Sequence, residues 1–171
     1  DQDRKREALA GDSHEEKLYV TDCQIDTDLE MMLPESYVEN VSERIRLYRQ
    51  LDNLEDEKAL ETFTRGLTDR FGPVPPQAEA LIDVVRLRRK AKRLGFEKLT
   101  LRNGKLLAYF VGDSQSAYYQ SPVFGRILAY VQQNPRLFRM KETNGRLVLT
   151  VSPVGSIREI IGILDKIQSL A

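Results

Sequence analysis

The sequence predicts an α+β domain built from an N-terminal strand, a three-helix segment and then two units that each join a β-hairpin to a helix. Asn-Gly occurs between apolar runs at both 103–104 and 144–145, and this pair is the strongest short signal for a hairpin turn. Before the first hairpin, apolar residues recur every three or four positions, which is the spacing of helices. Helices that lie before and between antiparallel hairpins are typical of α+β domains.

The size of the chain suits one domain, and its charge excludes one broad class. The chain has 171 residues, which is enough for a proper core. Lys and Arg number 26, and so do Asp and Glu, so the formal net charge is zero. This balance argues against a dedicated nucleic-acid-binding domain, because such domains are usually basic. Residues 1–18 are mostly charged or small, and we expect a linker or frayed tail there, followed by the domain at 19–171.

The sequence also predicts a cytoplasmic protein with no membrane contact. No run approaches the roughly 18 apolar residues of a membrane span. The charged first residues are not followed by the apolar stretch of a secretory signal. Cys23 is the only cysteine, so no internal disulfide can form, which is consistent with a reducing compartment. Because the first residue is not Met, we expect a fragment of a larger protein or a processed chain.

Polar and apolar residues alternate from position 22 to 31, which is the period of a half-buried strand. One face of this strand is apolar and the other is mostly acidic. A metal or a cationic partner is one interpretation, because hard cations bind carboxylate oxygens. We favour a charged edge strand and assign no metal, because a line of carboxylates along one strand does not wrap an ion. The polar face comprises Asp22, Gln24, Asp26, Asp28 and Glu30.

Two helices are predicted between residues 40 and 71. Asn40 and Glu43 have the spacing of a capping box, which would start the first helix. Asn53 is placed to cap the second helix. Gly66, inside the second helix, costs about 1 kcal/mol relative to Ala, which a close neighbour or a partner surface would explain. The first apolar face comprises Val41, Ile45 and Tyr48, with Leu47 and Leu51 beside it, and the second comprises Leu60, Phe63, Leu67 and Phe71.

A stiff corner at 69–76 joins the second helix to the third. Gly72 suits the left-handed conformation just past a helix end, and Pro73 cannot continue that helix. Pro75 and Pro76 fix φ and fit the start of the next helix. Gly95 ends the third helix. Its apolar positions are Ala80, Val84, Leu87, Ala91 and Leu94.

The third helix carries the most basic run of the chain. Phosphate binding is one interpretation, because clustered cations displace counterions from a nucleic acid. We favour a solvated face, whose cations also suit the helix C-terminus, since the chain has no net positive charge. The run comprises Arg86, Arg88, Arg89, Lys90, Lys92 and Arg93.

The two hairpin–helix units have clear helix boundaries. Ser121 and Pro122 are an N-cap and a first-turn proline, and Ser156 with Glu159 has the spacing of another capping box. Tyr118 and Tyr119 precede the fourth helix, where stacking on a base or a partner is one interpretation. We favour packing of both rings against the hairpin.

The sequence predicts no catalytic residue, metal site or cofactor in this chain. It contains neither the Gly-rich phosphate loop of Walker type nor Gly-x-Gly-x-x-Gly. His14 is the only histidine and lies in the polar leader, so the predicted fold lacks the commonest general base and zinc ligand. From the residues alone, a non-catalytic module fits best.

Four segments in this order resemble the C-terminal domain of bacterial transcription-repair coupling factor. They are Leu-Pro-Glu-Ser-Tyr-Val at 33–38, Arg-Ile-Arg-Leu-Tyr-Arg at 44–49, Leu-Thr-Asp-Arg-Phe-Gly-Pro-Val-Pro at 67–75 and Leu-Arg-Arg-Lys-Ala-Lys-Arg-Leu-Gly at 87–95. The resemblance covers roughly residues 20–171 and is least distinctive in the hairpin half.

The resemblance implies a parent protein that translocates on double-stranded DNA at the expense of ATP. That parent displaces RNA polymerase stalled at a lesion and recruits the excision-repair protein UvrA. Its motor domains, which bind ATP and Mg, lie outside this chain. The resemblance further implies that the C-terminal domain docks on the parent's N-terminal UvrB-like module and masks UvrA recruitment, so that it acts as a two-state autoinhibitory latch.

By the same resemblance, we expect the docking contacts on the exposed side of the second helix and its corner. They are Thr62, Arg65, Gly66, Asp69 and Arg70. The family has an acidic residue where this chain has Gly66, which leaves Asp69 as the main carboxylate and argues against a strong salt-bridge latch. Local capping of the helix end and corner is the alternative role for Asp69 and Arg70.

Two other functions remain as alternatives. A nucleic-acid-binding module would use Arg86, Arg89, Lys90, Lys92 and Arg93 of the basic helix. A metal-dependent enzyme would use Asp26, Asp28 and Glu30. We rank the docking module first and the metal-dependent enzyme last.

Overall fold

The computed structural model describes residues 17–170 and confirms the predicted α+β class. The helices are α1 (Val41–Asp52), α2 (Glu57–Phe71), α3 (Pro76–Leu94), α4 (Pro122–Gln133) and α5 (Ile157–Gln168). The strands are β1 (Gln24–Thr27), β2 (Lys98–Arg102), β3 (Lys105–Tyr109), β4 (Phe138–Thr143) and β5 (Arg146–Val151). None of the helices described is long and apolar enough to span a membrane. Most of the predicted tail lies outside the described residues, and its last two positions, Lys17 and Leu18, are exposed.

Both predicted hairpins belong to one five-stranded sheet with the order β1-β2-β3-β5-β4. β1 runs parallel to β2, and the other pairs are antiparallel. Asn103 and Asn144 have φ of 53° and 52°, and the glycine after each also has positive φ. These values fit the two-residue turn that matches the twist of the flanking strands, which confirms both Asn-Gly predictions.

The helices form two cores that meet along α3. Three buried side chains in the first half of α3, Ala78, Ile82 and Val85, pack with α1 and α2. The rest of α3 packs with α4, α5 and one face of the sheet. This second core includes Leu99 and Ala108, which face each other across β2 and β3. A long helix that belongs to both cores fixes the α1–α2 pair against the sheet.

β1 is shorter than the alternating pattern predicted. It contains only Gln24–Thr27, and it lies at the edge of the sheet, as expected for a charged edge strand. The chain leaves the sheet after Thr27, where the Asp28 carboxylate accepts a hydrogen bond from the Asn103 N–H at 3.1 Å. That bond holds the end of the strand against the first hairpin turn.

The predicted N-caps are confirmed at α1 and α5, although the Glu43 carboxylate lies at Arg70 and that of Glu159 accepts from the Gly155 N–H, and the N-cap predicted for α2 is wrong. The Asn40 side chain accepts from the Glu43 N–H, and the Ser156 side chain accepts from the Glu159 N–H. α2 is capped by Asp56, which accepts from the Ala59 N–H at 2.7 Å. Asn53 instead ends α1, because its own N–H bonds back to that helix.

The apolar face of α1 also differs from the prediction. Leu47 and Leu51 are buried in the helical core, whereas Val41 and Ile45 are 59% and 46% exposed. Both pairs have a spacing of four residues, so both are compatible with a helix stripe. The position of α2 and α3 decides which pair is buried.

The stiff corner between α2 and α3 is confirmed, and Tyr37 holds it from outside. Gly72 has φ of 89° with an extended ψ of −168°, so it has the positive φ predicted but not the left-handed helical ψ. The Tyr37 hydroxyl lies 3.1 Å from the Leu67 carbonyl and 2.8 Å from the Gly72 carbonyl. Pro75 and Pro76 start α3 as expected. The Tyr37 hydroxyl therefore ties the end of α2 to the segment that precedes α1.

Tyr118 and Tyr119 pack into the protein, so the stacking interpretation is wrong for Tyr118. Its ring is fully buried and its hydroxyl donates to the Leu94 carbonyl at 2.6 Å. The half-buried Tyr119 donates to the Val111 carbonyl. Gly95 has φ of 86°, and a Cβ there would lie 2.2 Å from the Tyr118 ring. Only glycine fits this junction between α3 and β2.

Candidate docking surface

A groove of about 590 Å³ lies between α1 and α2, at the end of the domain away from the sheet, and we call it the α1–α2 groove. Its lining is mixed, with apolar side chains and a polar set. The apolar lining comprises Leu47, Leu54, Ala59, Phe63, Leu67 and Phe71. The polar lining comprises Gln50, Asp56, Lys58, Thr62 and Arg70, and Gly66 completes it. The groove has the composition of a small protein-binding site.

Three of the five predicted docking residues line this groove. Thr62, Gly66 and Arg70 follow one another at intervals of four along α2, so they share one face of the helix. Arg65 and Asp69 are exposed on the same helix but do not line the groove. The predicted surface is therefore continuous, with part of it in the groove and part beside it.

Gly66 has open space beside it. A Cβ built at this position would meet no atom within 4 Å, so a close neighbour inside the domain does not explain the glycine. Gly125 and Gly162 are also helical and equally open, so open space alone does not indicate function. Gly66 differs because it lies in the groove wall, where the missing side chain widens the groove.

Arg70 connects the two helices and does not cap the corner. Its Nη2 lies 2.6 Å from Glu43 Oε1, and its guanidinium stands 4.8 Å from the centre of the Phe71 ring. Glu43 also lies 3.6 Å from Arg46. The end of α2 is closed by the Gly72 N–H, which bonds to Thr68, so the capping role proposed for Arg70 is wrong.

Asp69 and Arg65 have weaker polar contacts within the described part of the domain than Arg70 has. Within residues 17–170, Arg65 donates one long hydrogen bond, of 3.4 Å, to Thr62 Oγ1. Within residues 17–170, no cation lies at ion-pair distance from the Asp69 carboxylate. Asp69 therefore stays available to a cation from outside the domain.

Three of the six cations in the basic run on α3 are neutralised inside the domain. Arg86 and Arg89 both bond to Glu57, at 2.8 and 2.9 Å. Lys90 lies 2.6 Å from Asp165 of α5. Partial burial alone would raise the pKa of Glu57, but the bonds from the two arginines outweigh it and hold that pKa below its ordinary value. These cations serve packing between helices.

The other three cations of the run, Arg88, Lys92 and Arg93, line a second cleft of about 540 Å³ together with Arg89. Asp22, Asp52 and Glu55 line the same cleft, so its charge is mixed. Carboxylates in the lining repel a phosphate, which weakens the nucleic-acid interpretation of this helix.

The acidic face of β1 is also engaged. Asp26 lies 2.6 Å from Arg102, and Asp28 holds the Asn103 N–H. Glu30 lines a different cleft, near the start of α5. Across residues 17–170, no group of three or more metal-binding side chains converges. The geometry gives the metal-dependent alternative no support.

Sequence reasoning missed two residues that shape the groove. Glu43 was identified only as a capping partner, yet its carboxylate bridges to Arg70. Tyr37, which holds the corner, lies 35 positions from Gly72. Neither pairing leaves a local sequence signal, because both depend on how separate elements meet.

The TRCF domain family matches this chain over residues 27–121. Among curated proteins, the transcription-repair-coupling factor of Escherichia coli (strain K12) is 35% identical over 82 residues, which is 47% of this chain and 7% of that protein. The factor of Rickettsia prowazekii is 28% identical over 120 residues, or 70% of this chain and 10% of that protein. The factor of Buchnera aphidicola is 27% identical over 132 residues, which is 77% of this chain and 15% of that protein. The chain thus spans a small part of each relative's length.

A solved structure shares the fold. It is a crystal structure of the C-terminal domain of transcription-repair coupling factor, with a TM-score of 0.68 and 14% identity. The match covers 85% of this chain and 93% of that one. At this identity the similarity supports the fold alone, whereas the sequence match to the family covers more than half of the chain. The chain belongs to the TRCF domain family and has the fold of a transcription-repair coupling factor C-terminal domain.

Proposed function

We propose that this chain is a non-catalytic regulatory docking domain of a transcription-repair coupling factor. In this proposal it binds the N-terminal UvrB-like module of the same parent and masks the surface that recruits UvrA. The parent is an ATP-dependent DNA translocase that displaces stalled RNA polymerase in the cytoplasm, with ATP and Mg bound by its motor domains. The observation that carries the proposal is the open α1–α2 groove beside Gly66.

The composition of the groove suits an interface that must form and dissociate reversibly. Interfaces between domains of one chain are smaller and more polar than permanent ones. Here half-buried Leu54 and Phe71 offer apolar contact, while exposed Thr62 and Arg70 offer hydrogen bonds beside them. Such a surface can bind a partner side chain and can also stay exposed to water when the partner is absent, because part of its lining is polar and hydrated in the free domain.

The charges favour a modest ionic contribution. Glu43 already neutralises part of Arg70, so Arg70 has less to offer an acidic partner. Asp69, beside the groove, is the carboxylate that a partner cation would meet. One exposed pair contributes about 1 kcal/mol or less. A weak latch of this kind is easily opened when the parent engages DNA and polymerase, because only a small difference in binding free energy must be overcome.

Two polar residues are buried in the described part of the chain, Asp83 and Ser121, and their contacts support a non-catalytic role. Asp83 is held by Arg86 at 2.8 Å and by Arg158 at 3.0 Å. Buried Ser121 caps α4 and donates to the Tyr118 carbonyl at 2.5 Å. Each of these groups is satisfied by the fold, so neither is poised for turnover.

Calorimetric titration of this chain with the separately made N-terminal module tests the proposal. We expect binding with a Kd below about 100 µM, and at least about tenfold weaker binding for Asp69→Lys. Glu142→Lys, the same charge change at the far edge of the sheet, should bind like wild type. No binding at about 100 µM, or equal loss in both variants, would contradict direct docking through this surface.

A further inference from the structure

One face of the sheet is open, and it carries six basic side chains. The register and the alternation of side chains along each strand define this face. Of its residues only Val148 is buried, and Val148 belongs to neither core cluster. The described helices therefore pack on the opposite face, where Leu99, Leu106 and Leu149 lie in the core.

The open face concentrates positive charge in a chain whose net charge is zero. It carries six cations from four strands, and we call this set the basic sheet face: Lys98, Arg102, Lys105, Arg139, Lys141 and Arg146. Two of them are paired, Arg102 with Asp26 at 2.6 Å and Arg146 with Glu97 at 2.8 Å. The other four have no carboxylate at ion-pair distance among the residues described.

Tyr109 lies within this face, between two of the cations. Lys98 Nζ is 5.7 Å and the Arg146 guanidinium 5.5 Å from the centre of its ring. Its cross-strand neighbours are Lys98 and Val148, and Lys141 follows Val148 on the next strand. Both cations lie over the ring, so a base that stacks on Tyr109 displaces one of them, and the displaced cation is then placed to bind an adjoining phosphate.

We infer that the basic sheet face binds single-stranded nucleic acid, with Tyr109 stacking a base and the unpaired cations binding phosphates. The shape disfavours a duplex, because five strands at about 4.8 Å spacing make a face about 19 Å wide, and the major groove is about 12 Å wide. An acidic protein segment would match the charge but would leave Tyr109 without a stacking partner. This site is separate from the α1–α2 groove and does not depend on the docking proposal.

Fluorescence anisotropy of a labelled oligothymidylate of about 20 nucleotides, titrated with this chain, tests the inference. With about four phosphates neutralised, log K should fall with log salt at a slope of about −3. Lys105→Glu with Lys141→Glu should weaken binding at least about tenfold and reduce the slope by about half. Tyr109→Leu should weaken binding about tenfold without changing the slope.

The matched control reverses two exposed or half-exposed cations on α3, Lys92→Glu with Arg93→Glu. Its net charge equals that of the sheet variant, and we expect binding within about threefold of wild type. Equal loss in the two double variants would overturn the inference, because it would indicate a general charge effect. The inference would also be overturned if duplex DNA or poly-glutamate of similar length bound as tightly as oligothymidylate. It would likewise be overturned if oligothymidylate did not bind at low salt. Circular dichroism shows whether the sheet variant folds. If it does not fold, two other results test the inference: tighter binding of oligothymidylate than of duplex DNA or poly-glutamate by the wild type, and weaker binding of oligothymidylate by Tyr109→Leu.

Discussion

Arg70 of α2 lies 2.6 Å from Glu43 of α1, and this pair joins the two helices at the α1–α2 groove. Arg70 is 56% exposed, so the pair contributes about 1 kcal/mol or less to stability. Its larger consequence concerns recognition, because it partly neutralises Arg70 and leaves Asp69 as the carboxylate beside the groove.

Gly66→Ala should stabilise the domain. The new Cβ meets no atom within 4 Å, and Ala is favoured over Gly in a helix by about 1 kcal/mol. Thermal unfolding should show a midpoint higher by about 2–4 °C. Gly125→Ala, which is equally open, should give a similar rise, whereas Gly95→Ala should lower the midpoint because its Cβ would overlap Tyr118. A fall for Gly66→Ala would mean that the groove wall is closed in solution.

Tyr37→Phe should loosen the corner. The variant loses the single hydroxyl proton, which the Gly72 and Leu67 carbonyls share, and we expect this loss to cost about 1–2 kcal/mol. Urea unfolding followed by circular dichroism measures the change. Tyr130→Phe is the matched control, because no bond of the Tyr130 hydroxyl is seen in the described structure, and it should stay within about 0.5 kcal/mol. Equal effects in the two variants would show that Tyr37 does not hold the corner.

Glu57→Gln should change how stability depends on pH. The pKa of Glu57 is lowered from an ordinary value of 4.5, so its unfolded form binds a proton more readily than its folded form. Its stabilising contribution is therefore present above about pH 4.5 and is lost as the pH falls through the lowered pKa. Urea unfolding across this range should show the difference between wild type and Glu57→Gln shrinking as pH falls. A difference between wild type and Glu57→Gln that stays constant as the pH falls would contradict the ionic assignment.

Cys23 should be unreactive in the folded chain. Burial and the neighbouring Asp22 raise the pKa of its thiol to about 12, although Arg88 and Lys92 act in the opposite direction. At about pH 8 almost no thiolate is present, and the thiolate is the reactive form. Ellman's reagent should therefore react slowly with the native chain and release one equivalent promptly after denaturation. Rapid reaction of the native chain would show that the region around β1 opens readily.

The positions of turns and helix ends were predicted well from the sequence, because the interactions that form them involve residues only a few positions apart. The two Asn-Gly turns and the capping residues Asn40 and Ser156 depend on positive φ and on hydrogen bonds over three positions. Asn53 and Asp56 are both good caps, and the sequence does not show which one is used. Asp56 caps α2 because Asn53 is taken up in closing α1.

Relations between elements could not be predicted from the same signals. The spacing of Val41 and Ile45 is as helical as that of Leu47 and Leu51, and only the position of α2 and α3 decides which pair is buried. Pairing of β3 with β5, which joins the hairpins, leaves no mark in either hairpin alone. The groove itself was not predicted. Three residues of its lining, Thr62, Gly66 and Arg70, were expected as docking contacts because of the resemblance, and that role stays a prediction.

The most direct test of the docking proposal is the Kd between this chain and the parent's N-terminal UvrB-like module, measured for two glycine variants. Gly66→Lys places a long cationic side chain in the groove beside Asp69, whereas Gly125→Lys places the same side chain on an equally open position of α4. We expect Gly66→Lys to weaken binding at least about tenfold, or about 1.4 kcal/mol, and Gly125→Lys to bind like wild type. Unchanged binding of Gly66→Lys, with both variants folded, would contradict docking through the α1–α2 groove.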